Sequence, residues 1–392
     1  MGASMSSTFD FAGNASPNVA AFLADIAELG VTVASEQGGG SAYGMFGARS
    51  NDRYWLLPLA PRAATRAGLG LFQPASQMAL CARSLADLAM RARLDRLWAR
   101  GRVRLSGLPD MKVDFGQPSV AYAYFTGTAG PHRKTAIQAM ASDGSILGYG
   151  KLTRNPAIAP FVAAEAAMLD RLAKVKLRSA AVPRRLSYRT GEGKVTLLVT
   201  DSRKSTASRS PTELGSAHLA FLRELEARSG RTGDPSAAQA LNDRLTQAAN
   251  GPVTEVWRAR LRAGADALRG QMQTLRTVLT HGDFTPWNIF LDSEGLYVFD
   301  WEYAQDAYPL GYDLARFLLS RPSEMAIETQ HQSVLATMSD TLFNGDRSIA
   351  RNHFHLSLLM HAAFYLERAT LAEDSVWDED ARYGALVDAF AQ

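Results

Sequence analysis

Two acids and an amide lie close together in residues 281–302. Asp283 precedes Asn288 by five residues, and Asp300 follows after a stretch that is typical of a hairpin. Phosphoryl transfer from ATP needs one carboxylate that orients the attacking hydroxyl and accepts its proton, together with oxygen ligands that hold Mg²⁺ on the phosphates. These three side chains supply that set. Their types and spacing therefore predict ATP- and Mg²⁺-dependent phosphoryl transfer to an alcohol.

The predicted hairpin explains the gap between the two acids. The strand-like runs NIFLD and LYVFD flank a turn at residues 293–295. A hairpin at this place folds the chain back after Asn288 and returns Asp300 towards Asp283. The alternative is a tight turn at residues 281–283, a strand cap at Asn288 and a surface acid at Asp300. The order and closeness of the three residues favour catalysis.

Strand-like runs precede this segment and predict a small α+β lobe. Three strands joined by short loops form an antiparallel meander, a helix follows from Asn155, and two more strands end the lobe. Beyond Asp201 a polar linker leads into a largely helical remainder. The five strands are expected at residues 120–126, 134–140, 146–153, 184–188 and 195–200.

A cation for the α- and β-phosphates is expected on the third of these strands, tied to a glutamate on the next helix. Lys151 ends the third strand-like run, and Glu165 lies on the predicted helix. The alternative is a solvated lysine and an ordinary helix glutamate. Given the acids and the amide further along the chain, we favour the functional pair, with Lys134 as the weaker substitute.

Residues 281–302 resemble the aminoglycoside phosphotransferase and choline kinase group. The signature of that group is His-Gly-Asp, four residues, Asn, and later Asp before an aromatic residue and Glu, and this sequence matches it throughout. The resemblance implies that Asp283 is the catalytic base and that Asn288 and Asp300 bind Mg²⁺. It also implies that His281 braces the loop.

The resemblance extends from Ser119 to the C-terminus and implies a bilobal, protein-kinase-like α+β fold with ATP in the cleft. It places the backbone N–H groups of Gly127, Thr128 and Gly130 over the β- and γ-phosphates, although a plain hairpin turn explains this loop nearly as well. It also places Thr200 in the stretch expected against adenine. Protein kinases more often have arginine where Gly282 stands, which favours a small-molecule substrate.

The run YPLGYDLARFLL follows the second acid and resembles the stretch with which this family opens its next helix. Asp313 is expected near the helix start, where a carboxylate can accept backbone N–H groups and hold the catalytic loop from behind. For Arg316 and Glu302, a structural role and a contact with substrate both stay open.

Three segments are predicted along the chain. Residues 1–115 form a mixed α/β region of unknown role, residues 116–201 a β-rich N-lobe, and residues 202–392 a helical C-lobe. Shaping the acceptor pocket, binding a partner and forming a homodimer all stay open for the first segment. Its elements are expected as helices at residues 18–29 and 76–97 and strands at residues 31–35 and 54–59.

Composition and charge limit the expected partners and location of the protein. The 392 residues include 42 basic and 39 acidic side chains, a net charge of +3, without a long run of one sign, so nucleic acid is not an expected partner. Charges interrupt every long apolar window, and no secretion signal is visible, so a cytoplasmic protein without a membrane span is expected. Cys81 stands alone, cannot form an internal disulfide, and is expected to be buried.

The expected partner is a small molecule that carries a hydroxyl, such as a sugar, a glycan precursor or an amino alcohol. One alternative is a nucleotide-binding pseudokinase that serves as a scaffold, which the complete set of acids, amide and lysine argues against. A protein Ser/Thr kinase is the other. Only about ten residues separate Asp300 from the helix of Asp313, too few for a long activation segment.

Overall fold

The computed structural model describes residues 15–34, 39–48, 52–72, 77–91, 101–109, 111–191, 195–205, 207–271, 273–321, 323–370, 377 and 379–390. The chain forms two compact units. The first comprises Met1–Lys174 and Val182–Arg209, and the second comprises Val175–Ala181 and Ser210–Gln392.

The first unit is rich in strands. Its strands are β1 (Thr32–Val33), β2 (Ser41–Ala48), β3 (Arg53–Pro58), β4 (Gly101–Ser106), β5 (Ala121–Phe125), β6 (Thr135–Met140), β7 (Ile146–Thr153), β9 (Arg185–Thr190) and β10 (Thr196–Asp201). Its helices are α1 (Pro17–Ala27), α2 (Arg62–Gly68), α3 (Gln77–Arg91) and α4 (Ala159–Val175), and a 3₁₀ turn spans Leu69–Leu71.

All nine strands form one antiparallel sheet in the order β1-β4-β2-β3-β5-β6-β7-β10-β9. The strands on either side of residue 115 meet in the middle, where Trp55 of β3 pairs with Phe125 of β5 and Leu56 pairs with Tyr124. The predicted N-terminal region and the predicted N-lobe therefore share one sheet and one compact unit.

Both faces of this sheet are covered. On one face Phe22 and Ile26 of α1 pack with the buried side chains of Leu56, Tyr122 and Tyr124. On the other face the small and apolar residues of α2 and α3 pack with β3, β5 and β6, through Leu57, Ala64, Ala67, Met90, Ala123 and Met140. Successive side chains of a strand point to opposite faces of the sheet, so β3, β5 and β6 contribute apolar side chains to both packed faces.

The second unit is mainly helical. Its helices are α5 (Ser216–Ser229), α6 (Pro235–Asn250), α7 (Glu255–Gln271), α8 (Tyr312–Leu319), α9 (Ile327–Leu342), α10 (Arg347–Thr370) and α11 (Asp380–Asp388), and a 3₁₀ turn spans Trp301–Tyr303. Its strands are β8 (Ala180–Ala181), β11 (Arg231–Thr232), β12 (Arg276–Thr280), β13 (Ile289–Asp292), β14 (Gly295–Val298) and β15 (Gln305–Pro309).

These six short strands form two sheets, in the orders β11-β12-β15 and β13-β14-β8. Between β12 and β13 the chain is anchored by Phe284, which is fully buried and stacks on Phe221 of α5 with ring centroids 5.4 Å apart. Phe284 also packs against Phe317 of α8. This apolar anchor fixes the loop at residues 281–288 on the helical body.

The predicted α+β fold, with a strand-rich part and a helical part, is confirmed. The meander, the hairpin and the two later strands lie within two residues of their predicted bounds. The expectation for Cys81 was wrong, because this side chain is exposed on α3. The end of the helix predicted at residues 76–97 lies outside the described residues beyond Arg91. Across the part of the chain that is described, no helix combines the length and apolar character needed to span a bilayer.

Candidate functional site

The loop after β12 turns sharply at Gly282. Its φ is +84°, and a Cβ atom at this position would lie 2.0 Å from the carbonyl oxygen of Tyr303. L-residues with a side chain rarely adopt this backbone conformation, and the close approach leaves no room for one. Glycine is therefore required between His281 and Asp283.

His281 makes hydrogen bonds through both of its ring nitrogens. The backbone N–H of Asp283 donates to its Nδ1 over 3.2 Å, so Nδ1 carries the lone pair and Nε2 carries the hydrogen. Nε2 then donates to the carbonyl oxygen of Phe299 over 2.9 Å. The buried ring packs on Trp301 with centroids 4.7 Å apart. His281 thus joins the loop to the end of the β13–β14 hairpin.

Both carboxylate oxygens of Asp283 accept hydrogen bonds. Oδ2 accepts from the side-chain amide of Asn288 over 2.7 Å, and Oδ1 accepts from Nε of Arg316 over 3.0 Å. The same amide nitrogen of Asn288 also donates to the backbone carbonyl of Asp283 over 3.0 Å. Since this nitrogen is committed to Asp283, a cation at Asn288 would be bound by Oδ1.

The hairpin returns the chain to Asn288. Ile289 pairs with Val298, and the N–H of Phe299 donates to the carbonyl oxygen of Asn288 over 3.0 Å. Asp300 follows directly, with a left-handed backbone at φ +71°. Aspartate tolerates this region better than most residues, and such conformations are concentrated at functional sites. The buried Trp301 holds the position by donating from Nε1 to the carbonyl of Val298.

Arg316 is the partner of Asp283 that sequence reasoning left undecided. Its guanidinium is buried on α8, and its Nη1 lies 3.8 Å from a carboxylate oxygen of Glu379. A signal for this role was present in the sequence, because Asp313 and Arg316 are three residues apart and so share one helix face. Both use that face to contact the loop at residues 281–283.

Asp313 holds the loop from behind. Its Oδ2 accepts the backbone N–H of His281 over 2.7 Å, and its Oδ1 accepts that of Gly282 over 3.0 Å. Burial raises the pKa of the Asp313 carboxyl to about 7, the two N–H groups act in the opposite direction, and the charge of Asp283 adds to the increase. The expected structural role of Asp313 agrees with these contacts.

The raised pKa of Asp313 predicts a pH-dependent contribution to stability. Between its ordinary pKa of 3.8 and about 7, the folded chain holds a proton that the unfolded chain has lost, so this contribution is full below pH 3.8 and is lost as pH rises through 7. We expect the difference in free energy of unfolding between wild type and Asp313→Asn to shrink by on the order of 4 kcal/mol from pH 4 to pH 8.

Urea unfolding followed by tryptophan fluorescence at five pH values measures this difference. The control is Asp346→Asn, an exposed carboxylate that also accepts backbone N–H groups at a helix start. A difference between wild type and Asp313→Asn that stays constant over the whole range would contradict the prediction.

In the first unit the predicted ion pair is present. Nζ of Lys151 lies 2.5 Å from Oε2 of Glu165. Lys151 is on β7, where it pairs with Ala136 of β6 and Leu198 of β10, and Glu165 is 2% exposed on α4. A buried carboxylate thus holds an ammonium group whose side chain is partly exposed.

The predicted phosphate loop joins β5 to β6. Gly127 and Gly130 have φ values of +86° and +131°, and a Cβ at Gly127 would lie 2.4 Å from the carbonyl oxygen of Lys134. Thr128 lies between them. Thr200 is largely buried on β10 and pairs with Tyr149 of β7. The roles of these residues stay predictions.

Comparison with known proteins gives one family. Residues 151–339 match the phosphotransferase enzyme family, APH. This match agrees with the family that the motif at residues 281–302 resembles, and it includes Lys151 of β7, the loop at residues 281–288 and α8. No curated protein matches the chain.

The solved structures that match part of this chain include phosphotransferases. A thermostable mutant of aminoglycoside phosphotransferase APH(4)-Ia is 14% identical, covering 71% of this chain and 96% of its own, with a TM-score of 0.46. Choline kinase LicA from Streptococcus pneumoniae is 13% identical, covering 65% of this chain and 89% of its own, with a TM-score of 0.42. Amicoumacin kinase hAmiN is 13% identical, covering 70% and 88%, with a TM-score of 0.42.

Proposed function

Because residues 151–339 match the phosphotransferase enzyme family, we propose that this chain transfers the γ-phosphoryl group of ATP to a hydroxyl of a small molecule and requires Mg²⁺. The observation that carries the proposal is the Asp283 carboxylate, held on one oxygen by Asn288 and on the other by Arg316. Because both oxygens are held, the carboxylate has one fixed orientation, as a group that orients a reactant requires.

Asp283 is the proposed catalytic base. Each carboxylate oxygen has two lone pairs, so the bonds from Asn288 and Arg316 leave Asp283 able to accept another hydrogen bond. An acceptor hydroxyl would donate that bond. As its oxygen bonds to the γ-phosphorus, the bond from phosphorus to the β–γ bridging oxygen breaks, the proton passes to Asp283, and ADP leaves.

Asn288 and Asp300 are the proposed ligands of Mg²⁺. The donor set fits, because Mg²⁺ prefers oxygen and is usually held by one or two protein groups together with water and substrate phosphates. The orientation of the Asn288 amide leaves Oδ1 as its ligand atom. When bound, Mg²⁺ supplies positive charge that offsets the charge developing on the phosphates.

Lys151 is the proposed cation for the α- and β-phosphates, and the contact with buried Glu165 supports this role by fixing the direction of the ammonium group. We also propose that the N–H groups of residues 127–130 bind the β- and γ-phosphates. The stretch containing Thr200 is the proposed contact with adenine. Together these groups would bind the nucleotide.

A sugar, a glycan precursor or an amino alcohol is the proposed acceptor. Residues 301–311, all of which the structure describes, consist of a 3₁₀ turn, strand β15 paired with β12, and a short link to α8. A protein kinase needs an activation segment at this place in the chain, and these residues are already used in the fold. This supports a small-molecule acceptor over a protein.

Calorimetric titration with a non-hydrolysable ATP analogue, with and without Mg²⁺, tests the proposal. We expect Mg²⁺-dependent binding by wild type and about 10²-fold weaker binding by Lys151→Ala, because a fixed charge next to phosphate contributes a few kcal/mol. Lys134→Ala is the matched control and should bind within about twofold of wild type.

An acceptor screen for ADP release follows in the same protein. Turnover with a small alcohol would support the enzyme, whereas Mg²⁺-dependent binding without any turnover would favour a scaffold. Wild type that binds no nucleotide would overturn the proposal. If Lys134→Ala loses binding and Lys151→Ala does not, the assignment of the cation is wrong.

A further inference from the structure

Helix α1 carries two buried polar side chains on one face. Asn18 and Asp25 are seven residues apart, about two helical turns, and are 4% and 3% exposed. Buried polar groups need hydrogen-bond partners, and a helix that only covered a sheet would present apolar residues there. Both side chains have hydrogen-bond partners at the ends of the loop between β5 and β6, and Asn18 also contacts Asp52.

Asn18 contacts the start of the loop. Its Nδ2 donates to the carbonyl oxygen of Gly127 over 3.0 Å and to Oγ1 of Thr126 over 3.3 Å. The same nitrogen lies 2.5 Å from the carbonyl oxygen of Asp52, before β3. Asn18 therefore ties β3 and the first loop glycine to α1.

Arg133 brings the end of the loop to the same helix. Its Nε donates to Oδ1 of Asn18 over 2.6 Å, and its Nη1 donates to Oδ2 of Asp25 over 2.7 Å. Thr135, the first residue of β6, donates from Oγ1 to the same oxygen of Asp25 over 2.8 Å. The guanidinium fork thus spans both polar residues of α1 and leaves the buried carboxylate paired.

The network closes the base of the loop. Asn18 fixes residue 127 and Arg133 fixes residue 133, so only the residues between them extend beyond the network. The left-handed backbone of Gly127 places it against the carbonyl of Lys134, which brings the two ends together. Backbone N–H groups bind phosphate more tightly when their positions are fixed before binding, since less freedom is then lost.

We infer that Asn18, Asp25 and Arg133 are positioning residues for the phosphate loop at residues 127–130. The inference rests on the proposed function and goes beyond it, because it gives the N-terminal region a part in nucleotide binding. Asn18 and Asp25 contact the ends of the loop and would act on the phosphates through it. Loss of this network selectively weakens recognition of the β- and γ-phosphates and leaves recognition of the nucleoside unchanged.

Two nucleotides with different numbers of phosphates test the inference. We expect Asn18→Ala to raise the Kd for the ATP analogue about tenfold, because the phosphate loop is then no longer fixed before binding. The Kd for AMP should stay within about twofold of wild type. Arg133→Lys keeps a charge for Asp25 but cannot span the network, and it should give the same pattern. Hydrogen exchange of the peptide at residues 126–134 should speed up in both variants without nucleotide.

The matched control for the arginine change is Arg189→Lys. Arg189 lies on β9 at the edge of the sheet and pairs with Asp114 over 2.5 Å, so this change makes the same replacement in an ion pair on a strand that does not flank the loop. This control should leave both Kd values and the loop exchange unchanged.

Three outcomes overturn the inference. Equal weakening of the ATP analogue and AMP by Asn18→Ala would mean general damage to the unit, and unchanged binding with unchanged exchange would mean that the loop needs no such support. Wild type that binds neither nucleotide overturns the proposed function and this inference together, which separates it from the first two outcomes.

Discussion

Asp283→Asn is expected to lower kcat by at least about 10³-fold, with the Kd for the ATP analogue within about threefold of wild type. An amide cannot accept the proton of the acceptor hydroxyl, whereas the nucleotide is bound mainly by other groups. Single-turnover ADP release and calorimetric titration measure the two quantities. A variant that retains a tenth of wild-type turnover would contradict the role of Asp283 as the base.

The change also has a structural cost that must be separated from chemistry. Both oxygens of Asp283 accept hydrogen bonds, from Asn288 and Arg316, so an asparagine must direct its NH₂ group at one of two donors. We expect a loss of about 1–3 kcal/mol of stability, because Arg316 also loses the charge of its partner. Thermal unfolding of the variant establishes that the assay is made on folded protein.

Two further variants complete this test. Asp283→Glu keeps the charge beside Arg316 but displaces the carboxylate by one methylene, and it should also lose most of kcat. Asp292→Asn makes the same chemical change at the last residue of β13, whose carboxylate accepts the N–H of Glu294 over 2.8 Å, and it should leave kcat unchanged. Loss of activity in Asp292→Asn would show that a change in the hairpin alone lowers kcat, and the loss in Asp283→Asn would then not be specific to the base.

Asp300→Asn is expected to abolish the effect of Mg²⁺ on nucleotide affinity and to lower kcat by about 10²–10³-fold, since a metal ion contributes several kcal/mol to charge stabilisation. Asparagine is the better replacement than alanine here. The backbone at Asp300 is left-handed, a conformation that asparagine also adopts readily, whereas alanine would add about 1–2 kcal/mol of strain.

Titration with the ATP analogue in excess Mg²⁺ and in excess chelator measures the metal effect for each protein. Wild type should lose affinity on chelation, and Asp300→Asn should give the same weak Kd in both conditions. The exposed Asp306→Asn on β15 is the control. A variant at Asp300 whose affinity still rises with Mg²⁺ would remove this residue from the metal site.

The loop and the hairpin of the candidate site could be predicted from the sequence because their signals are local. Gly282 permits a turn, Asn288 follows Asp283 by five residues, and a short hairpin returns the chain to Asp300. Each of these features depends on turn chemistry and strand alternation within about twenty residues, which local patterns express well. The predicted strand bounds agree with the structure for the same reason.

Contacts between distant parts of the chain have no signal in local turn or strand patterns, although helix spacing does place Asp313 and Arg316 on one face. Arg316 contacts Asp283 from 33 residues away, and Asn18 contacts Gly127 from 109 residues away. The pairing of Trp55 with Phe125 likewise depends on packing of two strands that no local pattern relates. Exposed Cys81 shows the same limit, because an apolar type predicts burial only when the neighbouring elements are known.

The pairing of β3 with β5 affects how the chain can be divided for experiments. A fragment that began at residue 116 would leave the backbone of β5 as an open edge and would uncover the aromatic side chains of Tyr122 and Tyr124, which α1 helps to bury. Open, apolar edges are templates for aggregation. The family match begins at residue 151, but the smallest fragment that preserves the sheet must include the strands that precede residue 115.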